Sequence, residues 1–172
     1  MSKSKANQKG GGLSFQRQYT REGVSVFDLF QYDYRTSVIR NPNGEKVFEM
    51  TDVEVPSHWS QIATDILAQK YFRKAGVPQP DGSLGRETSI KQVAHRLADC
   101  WRSWGERYGY FASSKDAEVF YDELAFSILQ QSCAPNSPQW FNTGLYNSYG
   151  IDGKAQGHFF VDPETGKLER SA

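Results

Sequence analysis

Several absences narrow what this 172-residue chain can be. It has two cysteines, Cys100 and Cys133, too few for a disulfide framework at this length. That usage fits a reducing compartment, so a cytoplasmic location is expected. No run of about 18 apolar residues occurs, and no membrane-spanning segment is expected. The start of the chain is charged but leads into no apolar stretch, so no secretory signal is expected. Neither sign of charge dominates, since Lys+Arg and Asp+Glu both number 20. Direct, sequence-blind nucleic-acid binding needs a basic footprint and is not expected.

Chemical motifs are equally sparse. There is no Gly-x-Gly-x-x-Gly and no Gly-x-x-x-x-Gly-Lys-Ser/Thr, hence no self-contained nucleotide cradle. His58, His95 and His158 stand at no metal-ligand spacing, and helical geometry turns His95 and Cys100 roughly 140° apart. Cys100, beside Leu97 and Trp101, reads as a small buried apolar residue. Cys133 falls at a helix C-terminus, whose partial negative charge raises a thiol pKa. No residue is assigned a catalytic or metal-binding role. Asp122 and Glu123 read as a solvated pair, and Lys115, Asp116, Glu118 and the basic residues near 70–74 as exposed helix faces.

Aromatic residues are plentiful: 11 Phe, 9 Tyr and 4 Trp. The plain reading is a core built on large rings. A large interface, where Tyr and Trp are enriched, is compatible with it.

Residues 1–14 are Gly-, Ser- and Lys-rich and read as a flexible tail. Partial alternation over 24–35 predicts a strand or an extended docking segment. Two β-prone runs around Asn41-Pro42-Asn43-Gly44 predict a hairpin over 36–50. Ser57 is the expected cap of a helix running to about Ala75. Its apolar face is Trp59, Ile62, Ala63, Ile66, Leu67 and Tyr71, and it stops at Gly76. Residues 76–87 read as a Gly/Pro loop. Thr88 or Ser89 caps a second helix to about Tyr108, with Ile90, Val93, Ala94, Leu97, Trp101 and Trp104 on its apolar face. Ser113 or Ser114 begins a third, to about Gln131. A second hairpin is expected over 157–171. The fold class is α+β, mainly helical with two short β-hairpins. The expected divisions are a tail at 1–14, an N-terminal helical domain with a hairpin at 15–133, and a loop segment with a hairpin at 134–172.

The stretch 134–145 stands out. Asn136, Ser137, Gln139, Asn142 and Thr143 lie between Pro135, Pro138 and the pair Trp140-Phe141. Prolines bar continuation of the preceding helix. A stiff loop presenting hydroxyls and backbone N–H groups can seat a phosphate. An Asx or Ser turn capping the preceding helix explains the same composition.

Longer blocks carry a resemblance. Ala134–Leu145, Tyr149–Gly153 and Gln156–Gly166 resemble the N-terminal region of adenosylcobalamin-dependent (class II) ribonucleotide reductases. So do Thr36–Gly44, Asp65–Gly76 and Ala117–Leu124. The likeness covers about residues 24–172 and implies an N-terminal domain leading into the first elements of the reductase α/β barrel. Such enzymes reduce ribonucleotides, largely diphosphates, through a cysteine thiyl radical generated with adenosylcobalamin. The resemblance implies a substrate-binding role for Ser137 near the nucleotide phosphates, and a weaker one for Asn136. It also implies that the radical cysteine, the cobalamin contacts and the cysteines facing a thioredoxin-type reductant lie beyond Ala172. The expected partners are therefore a ribonucleoside diphosphate and the remaining C-terminal part of the reductase, and this chain alone is expected to be inactive. A non-catalytic interaction or regulatory module derived from the reductase is the alternative.

Overall fold

The computed structural model describes residues 11–153 and 157–171. Residues 1–10 of the expected tail, and Gln156 of the expected blocks, lie outside the described residues.

The core forms where one face of a long hairpin meets two helices. After a single 3-10 turn, Val26–Leu29, strand β1 (Tyr32–Arg40) pairs antiparallel with β2 (Lys46–Pro56). The segment 24–35 is thus part helical turn and part strand, rather than one extended run. The register shifts between Arg35 and Ser37, so Thr51 and Asp52 face Thr36 alone. Asp52 adopts φ 57° at this bulge. The extra residue changes the phase of alternation and lets Met50, Val53 and Val55 all reach the core.

Helix α1 (Gln61–Ile66) begins at Ser60, whose hydroxyl accepts the Ala63 N–H. Ser57, the expected cap, instead donates to Asp33. A π-helical turn, Leu67–Tyr71, follows, and the backbone leaves the helix at Phe72, well short of Ala75. Packing sets that end, because Phe72 is buried and Tyr71 stacks on another element. Ile62 and Ile66, expected on the buried face, are exposed. The expected Gly/Pro loop contains a third, minimal hairpin of β3 (Val77–Pro78) and β4 (Leu84–Gly85).

Helices α2 (Ile90–Arg107) and α3 (Ser114–Leu129) pack on each other and on the hairpin. A capping box at Ser89 and Gln92 starts α2, and Ser113 caps α3. Ile90, Val93, Ala94 and Leu97 meet Ala125, Ile128 and Leu129 in the core. Trp104, expected on the apolar face of α2, is 51% exposed. Two short helices, α4 (Ser137–Asn142) and α5 (Leu145–Tyr149), then lean on α2. A last hairpin, β5 (Phe159–Val161) with β6 (Leu168–Arg170), projects all its residues into solvent. The architecture is α+β with three two-stranded antiparallel sheets among the described residues, where two hairpins were expected. No described helix is long and apolar enough to cross a membrane.

The N-terminal segment is strapped across α3. Leu13 donates to the Tyr110 carbonyl at 2.7 Å and accepts from the Ala112 N–H at 3.0 Å. Glu123, expected to be solvated, accepts from the N–H groups of Gln18, Tyr19 and Thr20 and from the Thr20 hydroxyl at 2.7 Å. Its neighbour Asp122 pairs with Arg17 at 2.5 Å. Burial alone would raise the Glu123 carboxyl, but these donors outweigh it and hold it below the usual range. Asp116 is also lowered, first by the Ser113 hydroxyl and then by the Phe15 amide.

A lowered folded pKa stabilises fully above the unfolded value, about 4.3 for Glu, and that stabilisation is lost as pH falls through the folded value. Amide exchange should therefore show residues 15–20 losing protection in acid before the α2–α3 core does. Glu123→Ala should produce the same local loss at neutral pH.

Candidate functional site

The chain leaves α3 through Gln131, which adopts φ 61°, and re-enters a helix six residues later, at Ser137. Asn136 caps that new helix: its side-chain oxygen accepts the Gln139 N–H at 3.4 Å. Half of the stretch expected as a loop is thus helix α4, and Asn136 serves the following helix rather than the preceding one. Pro138 is tolerated because it sits in the first turn, where a missing N–H costs no intrahelical bond.

Ser137 opens α4 and is exposed. Its hydroxyl lies 3.1 Å from the Tyr71 hydroxyl. The Tyr71 ring stacks on Trp140, with centroids 5.3 Å apart and planes at 20°, and touches Phe141 on the same helix. The π-helical turn thereby delivers its last side chain to the face of α4 that carries Ser137. The Asn136 side chain is used in its own cap.

What holds α4 in place lies beneath it. Arg96 and Glu87 form an ion pair in which both side chains are fully buried, with Nε 2.7 Å from Oε1. Arg96 also donates to the carbonyls of Trp140 at 2.6 Å and Thr143 at 2.8 Å. These belong to the C-terminal end of α4, where a cation complements the helix dipole. Glu87 accepts from the Arg73 N–H at 2.7 Å and from the Tyr149 hydroxyl at 2.9 Å. Burial, and then the Glu87 charge, push the Tyr149 phenol well above its ordinary range, so it stays a donor. Gly144 follows with φ 80°, and a Cβ there would fall 1.9 Å from the Arg96 carbonyl oxygen. Sequence reasoning missed this centre. The one signal was Arg96 standing between Val93 and Leu97 on a strongly apolar helix face.

The other candidates are dispersed. The His95 ring bonds the Tyr121 hydroxyl at 2.8 Å, and His58 stacks near Phe30. Burial pushes the Tyr121 phenol up to about 12. No three His, Cys, Asp or Glu side chains among the described residues come together as a metal site. Cys100 is buried and its thiol raised by desolvation. The Cys133 thiol is raised as well, also by partial desolvation.

Comparison with known proteins now bears on this geometry. A family model described as class II vitamin B12-dependent ribonucleotide reductase matches residues 33–131. A vitamin B12-dependent ribonucleotide reductase of Bradyrhizobium diazoefficiens is 45% identical over 188 residues, covering 92% of this chain and 15% of that protein. One from Agrobacterium fabrum is 44% identical over 187 residues, with 92% and 15% covered. One from Streptomyces clavuligerus is 41% identical over 145 residues, with 83% and 14% covered. The chain therefore spans about 15% of the length of the first two relatives.

Arg96→Met would leave Glu87 buried without its cation, and unfolding in urea should show a loss of about 3–5 kcal/mol. Arg96→Met with Glu87→Leu should lose much less than the two single changes summed. Gly144→Ala should destabilise strongly, since its Cβ meets backbone rather than a movable side chain.

Proposed function

Because this chain belongs to the class II vitamin B12-dependent ribonucleotide reductase family, we propose that it forms the N-terminal part of such an enzyme. In this reading it contributes a wall of the pocket that binds a ribonucleoside diphosphate for conversion to the deoxyribonucleotide used in DNA synthesis. The supporting observation is the presentation of Ser137. Its hydroxyl is exposed at the start of α4, bonded to another hydroxyl, and carried on a helix clamped from below by Arg96. A serine so placed can donate to a phosphate oxygen while Tyr71 keeps its rotamer. Asn136 contributes indirectly, by setting the first turn that aims Ser137.

Adenosylcobalamin, when bound to the complete enzyme, supplies the radical that starts reduction. The described residues of this chain do not fit that group. The cleft beside Cys100 and Trp104 encloses about 480 Å³, within the range of drug-sized ligand pockets, and a corrinoid is several times larger than a drug-sized ligand. The cofactor, the radical cysteine and the contact with a thioredoxin-type reductant are assigned to the remainder of the reductase. Hairpin β5–β6 supports the same division. Phe159, Phe160, Val161 and Leu168 are all exposed and offer apolar surface for packing on the barrel.

Combined with the downstream part of the reductase, the chain should restore cobalamin-dependent reduction of ribonucleoside diphosphates in a cytoplasmic setting. Neither part alone should be active. Ser137→Ala should weaken substrate binding about 10- to 100-fold, the worth of a hydrogen bond to a charged group. Unchanged affinity in that variant would exclude the role.

A further inference from the structure

A cleft of about 370 Å³ opens between residues 70–75 and the Phe141–Asn142 end of α4. Three cations line it, Lys70, Arg73 and Lys74, and no carboxylate does. The chain as a whole is neutral, so this is a local excess of positive charge. None of the three stands in an ion pair among the described residues. Arg73 commits its Nε to the Ala75 carbonyl at 2.9 Å, which fixes the guanidinium while its two terminal nitrogens remain available. That edge of a guanidinium matches two oxygens of one phosphate.

Both walls are held by the same buried pair. Glu87 accepts the Arg73 N–H at 2.7 Å and donates its own N–H to the Arg73 carbonyl at 2.9 Å. Arg96 binds the Trp140 and Thr143 carbonyls on either side of Phe141 and Asn142. The cleft is therefore preformed, and a ligand entering it would need little ordering of the backbone. Tyr71 links it to the neighbouring site, because it lines the cleft and its hydroxyl meets Ser137.

We propose that this cleft is a phosphate seat, in which Lys70, Arg73 and Lys74 take the outer phosphate of the nucleotide whose inner end is contacted by Ser137. The proposal rests on the reading of Ser137 as a nucleotide contact, and it adds a discrimination. Affinity would rise with the number of phosphates, because an outer phosphate brings more charge to the cations than a monophosphate can.

The test is titration of the chain with inorganic pyrophosphate and with cytidine diphosphate, followed by calorimetry and by amide chemical shifts at moderate salt. Saturable pyrophosphate binding is expected, with shifts at residues 70–75 and 141–142. Lys70→Gln with Lys74→Gln should weaken it at least tenfold. These side chains lie on the cleft's rim, and an unchanged amide spectrum elsewhere verifies the fold. Arg73→Lys, which keeps the charge and loses the paired donors, should weaken pyrophosphate more than it weakens sulfate. Ser137→Ala should spare pyrophosphate and weaken only cytidine diphosphate. Pyrophosphate binding that is absent, or untouched by the double lysine change, overturns the seat even if Ser137→Ala reduces nucleotide affinity. A lysine effect without a serine effect upholds the seat and removes the serine.

Discussion

Two opposite charges buried under α4 organise this half of the molecule. Taking a guanidinium and a carboxylate out of water costs several kcal/mol per ion, and the attraction between them offsets that only if their remaining donors and acceptors are also satisfied. That condition is met. Arg96 reaches Glu87 and the carbonyls of Trp140 and Thr143, while Glu87 also takes an amide from Arg73 and the phenol of Tyr149. Pieces distant in sequence are thereby held to one geometry: the end of the π-helical turn, the start of α2, and both short helices. An apolar pair could fill the same volume, but it would not dictate which carbonyls face it. The pair's value lies in specifying the position of α4, and so of the serine that α4 carries.

Much of the scaffold is legible in the order of residues. Helices α2 and α3 announce themselves by apolar spacing and by Ser89 and Ser113 at their starts, and the turns at Asn41–Gly44 and Asp162–Gly166 sit inside the two expected hairpins. The failures have specific causes. The bulge at Thr51–Asp52 breaks the period of two, so Met50 and Val53 share a face that alternation would deny them. Ser57 and Ser60 are equal as caps by residue type, and only the bond from Ser57 to Asp33 separates them. Arg96 escaped because a charge is ordinarily assigned to solvent, and its partners lie 9, 44 and 47 residues away. At the candidate site, Ser137 was singled out through a family likeness. Nothing local showed that Tyr71 would meet it.

The aromatic excess borders the core more than it fills it, with Phe27, Phe30, Tyr32, Phe48, Trp101 and Tyr121 packed half-buried against its edge. Among the described residues Trp59, Phe72 and Trp140 are the buried aromatics, while Tyr19, Tyr34, Trp104, Tyr108, Tyr110, Phe141, Tyr146, Phe159 and Phe160 are exposed. Aliphatic side chains from the hairpin and the two long helices supply most of the interior. The rings gather instead at seams: Phe15 with Phe111 and Phe120 under the N-terminal strap, Tyr19 on Phe126, and Tyr71 between Trp140 and Phe141. Flat, rigid groups of this kind join elements at low cost in lost rotamer freedom.

The strap over α3 has a consequence for synthesis on the ribosome. Residues 15–20 emerge well before the carboxylates that receive them, which lie 101 to 105 positions downstream. At about 5–20 residues per second, translation leaves that segment without its dock for roughly 5–20 seconds. A stretch that leaves the exit tunnel ahead of the whole core is thus among the last to find its place, and its own polarity must keep it from wrong associations meanwhile.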